Sequence, residues 1–230
     1  MTSPKKLTID IYSDVMCPWC IIGYSQLQNG LAELKGEIEA EVRWLPFELN
    51  PDMPPEGEES VAHIARKYGR TPEQAKAGRD QMLGMGERAG YSFAYTGAGE
   101  PPPSMLRNTF SAHKLLKWAL IEAGAEMQNE LKLALFDAHF QQRRDVSDPE
   151  VLVELAAAQG LDPVGARAAL SDDALGLIVK QEEAQAYDLN ITGVPAMVVQ
   201  GKYMIPGAQE PEVYVDALRR VVEREARAAV

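Results

Sequence analysis

Cys17 and Cys20 are the two cysteines of a 230-residue chain, and Pro18 and Trp19 stand between them. Two thiols at this spacing can close to a disulfide and reopen, which is the chemistry of thiol–disulfide exchange. Zinc needs four ligands, and no second cysteine pair is present. His63, His113 and His139 are isolated and show no metal-ligand spacing, so a metal is not expected. A purely structural disulfide between such near neighbours closes almost no loop and constrains the unfolded chain little. Redox exchange is therefore the reading, with a metal cluster shared across a dimer, or a relic thiol pair, as what remains beside it.

The elements around the pair are those that aim a reactive thiol. Leu7, Ile9 and Ile11 alternate with Thr8, Asp10 and Tyr12, the period of a strand. Cys20, Tyr24, Leu27, Leu31 and Leu34 then step by four and three along one apolar helix face. Cys20 is expected on that buried stripe. Cys17 is expected at the helix mouth, exposed, its thiolate favoured by free N–H groups and the helix dipole. Pro18 suits the first helical turn, where its missing N–H has no partner to lose.

Ile38, Ala40, Val42 and Trp44 alternate with charged residues as a second strand, completing a βαβ unit with parallel strands. The proline-rich run Leu45–Pro55 reads as an extended connector that ends the sheet, with a loop near the thiols as the functional alternative. From Ser60 to about Asp188 the pattern is helical, with helix starts at Thr71–Pro72, Ser104, Ser147–Asp148–Pro149 and Asp162–Pro163. Gly124 is expected to end or bend one of these helices. Strands return with Pro195–Val199 and Tyr203–Ile205, joined by a two-residue turn at Gly201, before a final helix that opens at Pro211. The expected fold class is α/β, a thioredoxin fold (βαβ … ββα) interrupted by an α-helical insertion. Residues 1–58 and 189–230 make the thioredoxin-like domain and 59–188 the insertion.

A formal net charge of −11 and a pI near 4.8 argue against nucleic acid or an anionic membrane as partner. The lysines at 5 and 6 are not followed by an uninterrupted apolar run, so the start reads as a strand and not a signal peptide. A reducing, cytoplasmic setting follows, where a lone cysteine pair is more often catalytic than structural.

A site of this type needs a cis-proline facing the thiols. Thr192-Gly193-Val194-Pro195, directly before an apolar strand, supplies the candidate. A cis bond there leaves the Val194 backbone free to pair with an extended substrate segment. Together Asp14–Cys20, Pro46–Pro51, Asn108–His113 and Gly193–Pro195 resemble the DsbA-family oxidoreductases of the FrnE type. The resemblance spans nearly the whole chain. It implies a thioredoxin fold with an inserted helical domain, thiol–disulfide oxidoreductase or isomerase activity, and a cytoplasmic setting.

Carried over to this sequence, the resemblance makes Cys17 the attacking nucleophile, Cys20 the resolving thiol and Pro195 the cis-proline. Pro18, Trp19 and Val194 then adjoin the substrate. It also raises Asn108 and His113, as residues of a helix start that overhangs the dithiol, against their plainer reading as hydrogen-bonded positions in the insertion. No bound cofactor is implied beyond the redox-active pair itself, with glutathione as a co-substrate candidate. The expected partners are protein or peptide thiols and disulfides. A homodimer is compatible with the sequence, which is silent on oligomeric state.

The same superfamily holds glutathione-dependent hydroxychromene-carboxylate isomerases and kappa-class transferases, which usually carry a serine where this chain has Cys17. That activity is the alternative, and a holdase or partner-binding module is a third reading. Trp19 sits where DsbA has a histidine, so the dipeptide lacks a cation. The expectation is a Cys17 thiol pKa below about 8, between thioredoxin and DsbA in potential, and work as a reductase or isomerase.

Overall fold

The computed structural model describes residues 3–228. In chain order its elements are β1 (Lys5–Ser13), α1 (Pro18–Glu33), β2 (Ile38–Pro46), β3 (Glu58–Glu59), α2 (Ser60–Tyr68) and α3 (Pro72–Ala89). There follow β4 (Met105–Leu106), α4 (Phe110–Phe140), α5 (Pro149–Ala158), α6 (Pro163–Ser171) and α7 (Asp173–Asp188). The chain closes with β5 (Ala196–Val199), β6 (Tyr203–Pro206) and α8 (Pro211–Ala228).

The main sheet has the order β2-β1-β5-β6, with β1 and β2 parallel and β5 and β6 antiparallel to their neighbours. This βαβ and ββα arrangement is a thioredoxin fold, and the helical segment lies between β2 and β5. On one sheet face Ile9, Ile11, Met197 and Val199 pack with Leu27 of α1 and Tyr214 and Leu218 of α8. On the other face Tyr12, Phe47, Ala196 and Val198 meet Ala186 and Ile191. Because β1 is central, it is buried on both faces along its second half.

The chain departs from its sequence reading in three places. Glu58–Glu59 and Met105–Leu106 form a short antiparallel ladder within a stretch that reads as helix and loop. Two residues per strand are too few for an alternation to register. The next helix starts at Phe110, not at Ser104, because Leu106 is held in that ladder and Asn108 turns the chain, its Oδ1 accepting the Phe110 N–H at 3.0 Å. The turn between β5 and β6 spans Gln200–Lys202, with positive φ at both Gln200 and Gly201. Gly124, at φ 85°, interrupts α4 as a bend.

Where aspartate precedes a helix, its carboxylate accepts first-turn N–H groups, as Asp148, Asp162 and Asp172 do for α5, α6 and α7. The helical segment is bolted to the sheet at an exposed edge. In α4, Gln128 Oε1 accepts the Trp44 N–H at 2.9 Å and Gln128 Nε2 donates to the Trp44 carbonyl at 2.9 Å. Asn129 accepts from the Trp44 indole at 3.0 Å and donates to the Tyr24 hydroxyl at 2.8 Å. The fully buried Gln128 thereby serves as the missing strand beside β2. Replacing it, Gln128→Leu, orphans both Trp44 backbone groups. The expected cost is about 1–3 kcal/mol, read as a lower urea midpoint with unchanged slope.

Candidate active site

Ser13, Asp14, Val15 and Met16 carry the chain from β1 to α1 through the interior, and all four are buried. Val15 and Met16 join the apolar core of the helical segment with Leu115, Leu116, Leu131 and Leu135. Asp14 is the junction of three segments. Its Oδ1 accepts the Met16 N–H at 3.2 Å, its Oδ2 accepts the Leu49 N–H at 2.8 Å, and the Thr109 hydroxyl donates to it. Burial pushes the Asp14 pKa up, while these bonds and the charge of Lys132 act against the rise. The run after β2 is therefore more than a connector that ends the sheet: Leu49 within it is tied to the residue three before Cys17.

Cys17 occupies the N-cap of α1, and Cys20 lies in its first turn. Both are free thiols. Cys17 is 3% exposed and Cys20 0%, so the expectation of an exposed first thiol is overturned. The expected low pKa is overturned with it. The hydrogen bond to Cys20, burial, and the negative charges of Cys20 and Asp14 push the Cys17 thiol well up. Burial also works against a Cys20 thiolate, but the hydrogen bond from Cys17, the charge of Lys132 and the Ser13 hydroxyl prevail and lower it. The helix dipole loses at Cys17 because both sulfurs have left water. The two thiols titrate as a pair, the first charge resting at Cys20 and opposing a second at Cys17.

The Val194–Pro195 peptide bond is cis, and the Val194 carbonyl oxygen lies 3.6 Å from the Cys17 sulfur. Pro195 packs against α1 at Gly23, where an added Cβ would sit 3.1 Å from Pro195 Cγ and 3.3 Å from Ala208 Cα. Trp19 projects outward, 37% exposed, and Pro18 is half-buried beside it.

Asn108 and His113 do not reach the sulfurs. Asn108 Nδ2 donates to Glu48 Oε2 at 3.2 Å and to the Pro51 carbonyl at 3.1 Å. His113 is buried, donates to the Phe47 carbonyl, and lines a narrow cavity with Trp44, Lys132 and Glu182, its Nε2 without a hydrogen-bond partner. Burial and the charge of Lys132 hold its pKa well below the ordinary value. What does touch the dithiol loop from the helical segment is Thr109, through Asp14, and Arg107, whose N–H lies 2.9 Å from Met16 Sδ.

Sequence reasoning missed Asp14 as a hub, Gly23, Glu48 and Lys132. Lys132 left one trace. It falls four residues after Gln128 and four before Phe136, on a helix stripe that is otherwise buried, where a lysine is out of place.

Residues 8–219 match the DSBA-like thioredoxin domain. The chain belongs to that family. The crystal structure of a probable DsbA oxidoreductase from Streptomyces coelicolor is 32% identical, with 93% of this chain and 89% of that one covered at a TM-score of 0.81. The uncharacterized protein YwbO of Bacillus subtilis is 26% identical over 211 residues, 91% of this chain and 94% of its own. The cytosolic disulfide reductase DsbM of Pseudomonas aeruginosa, solved with glutathione, shares the fold at 20% identity and a TM-score of 0.61, over 96% of this chain and 99% of that one.

Two measurements test this geometry. Gly23→Ala forces Pro195 and Ala208 away from α1, so exchange activity is expected to drop about tenfold while stability, read from urea unfolding, changes by about 1 kcal/mol or less. Glu48 supplies a pH signature. Burial, Glu183 and Asp14 raise its pKa from 4.5 to about 7. The folded chain thus holds a proton there that the unfolded chain has released, and stability falls as pH rises through that window. Glu48→Gln is expected to flatten the fall between pH ~5 and ~8 by on the order of 2–3 kcal/mol, read from urea midpoints across that range.

Proposed function

We propose that this member of the DsbA-like family, of the FrnE type, is a thiol–disulfide oxidoreductase or isomerase working through Cys17 and Cys20. The observation that carries the reading is the buried, hydrogen-bonded thiol pair at the start of α1, with the Cys17 sulfur 3.6 Å from the Val194 carbonyl oxygen. In the reduced pair Cys20 carries the first negative charge, so it is the base. As Cys17 attacks a substrate disulfide, its proton passes to Cys20 and the displaced substrate sulfur leaves as a thiolate, which takes that proton from Cys20 and departs as a thiol. Loss of the Cys20 proton then lets its sulfur attack Cys17 in the mixed disulfide. The second substrate thiol leaves with a proton, and the enzyme is left with a Cys17–Cys20 disulfide.

The substrates are protein or peptide disulfides. Val194 lies outside the β5 ladder, which begins at Ala196, so its backbone is available to an extended segment. Trp19 brings no cation to the thiols, which favours reduction or isomerisation in a cytoplasmic setting over oxidation. Among the described residues no helix is long and apolar enough to cross a membrane. The fold shared with a glutathione-bound disulfide reductase supports glutathione as reductant. It also keeps a glutathione-dependent isomerase as the second reading.

Insulin reduction driven by dithiothreitol or glutathione decides between them. Cys17→Ser is expected to abolish catalysis and Cys20→Ser to accumulate mixed disulfides visible on non-reducing gels. A Cys20 variant that turns over like the parent would show a monothiol glutathione mechanism instead.

A further inference from the structure

Lys132 is the buried group that this mechanism leaves unexplained. It stands on α4, is 0% exposed, and its ammonium has no hydrogen-bond acceptor in the protein. The other buried lysine, Lys114, donates to the Leu170 carbonyl at 2.9 Å and so has an ordinary structural partner. Lys132 Nζ instead lies between two rings, 5.1 Å from Trp44 and 4.8 Å from Phe136. An unpaired ammonium in such a place costs stability unless a negative charge answers it.

Trp44 and Phe136 belong to the same buried cluster as Cys17 and Cys20, so the ammonium sits within the packing around the dithiol, where the charges of Cys20, Asp14 and Cys17 act on it. Behind it lies the narrow cavity of about 10 Å³, bordered by His113, Lys117 and Glu182 as well. That volume suits one water, and the His113 Nε2 and Glu182 Oε2 atoms also lack a protein partner. Lys117 pairs with Glu182, and His113 is held neutral. Lys132 is therefore the cation in this pocket without a salt-bridge partner of its own.

We propose that Lys132 is the fixed counter-cation of the active-site thiolate, so that the helical insertion sets how oxidising the dithiol is. The inference rests on the dithiol reading above. A cation facing the reduced pair stabilises thiolate over disulfide. It raises the potential above what the uncharged Pro18–Trp19 dipeptide alone would give. Burial lowers the Lys132 pKa to about 8 while the thiolate and Asp14 charges oppose that fall, so the ammonium is held most firmly when the pair is reduced. Lys132 acts through Cys20 and is a positioning residue for the exchange, since it does not meet the substrate.

The test uses the full chain equilibrated with glutathione and glutathione disulfide, with Lys132→Met to keep volume and remove charge. The equilibrium is expected to shift about tenfold toward the disulfide, a potential lower by about 30 mV, and thiolate absorbance to appear at higher pH. The urea midpoint should stay or rise, because a methionine replaces a buried unpaired charge. A role in packing alone predicts the reverse, lost stability with an unchanged thiol titration. Lys132→Arg should recover part of the shift.

The unsubstituted chain gives an independent readout: by NMR, the Lys132 ammonium should titrate at lower pH in the disulfide form than in the dithiol form. Identical titrations in the two forms, or a parent-like glutathione equilibrium in Lys132→Met, would overturn the counter-cation. A pair that never oxidises in glutathione disulfide would overturn the dithiol reading, and this one with it.

Discussion

One buried carboxylate holds the site together. Asp14 accepts from the Met16 N–H, the Leu49 N–H and the Thr109 hydroxyl. Those donors belong to the loop that delivers Cys17, the proline-rich run after β2 and the start of α4. A carboxylate in the interior is costly unless its lone pairs are answered, and here each donor comes from a segment far from the others in sequence. Satisfying the charge therefore fixes the relative positions of the thioredoxin-like core and the helical insertion at the point where the thiols emerge. The Gln128–Trp44 backbone clasp does the same work farther along α4, by covering the open edge of β2.

The same burial rewrites the chemistry of the thiols. A helix N-terminus lowers a thiol pKa when water still reaches the sulfur, but Cys17 and Cys20 are both enclosed. Desolvation, the sulfur–sulfur hydrogen bond and the Asp14 charge outweigh the dipole at Cys17. The negative charge settles at Cys20, nearer in effect to Lys132. Reactivity at Cys17 then depends on a base that is its own partner. The carboxyl groups of buried Asp14 and Glu48 and of half-buried Glu183 all have pKa values raised chiefly by burial.

Local chemistry was legible in the sequence. The alternation of Leu7, Ile9 and Ile11, the helical stepping from Cys20 to Leu34 and the aspartate-capped helix starts depend on neighbours a few residues away, and each is found in place. The thiol pair was legible because two cysteines at that spacing have few other uses. Short features were not: Met105–Leu106 pairs with Glu58–Glu59 through two residues per strand, below what a periodicity can reveal. Asn108 and His113 fall in a quoted motif, yet the first serves the loop at Glu48 and Pro51 and the second lines a cavity.

By itself the sequence determined the order of the main-sheet strands, the place of the helical segment between them and the identity of the thiol pair, since these follow from periodicity, turn chemistry and residue type. Only the tertiary structure decided which sulfur carries the charge, why Gly23 has no side chain, and that Asp14 and Lys132, 118 positions apart by their numbers, act on the same two sulfurs. Burial and long-range pairing set those properties, and neither is a function of local sequence.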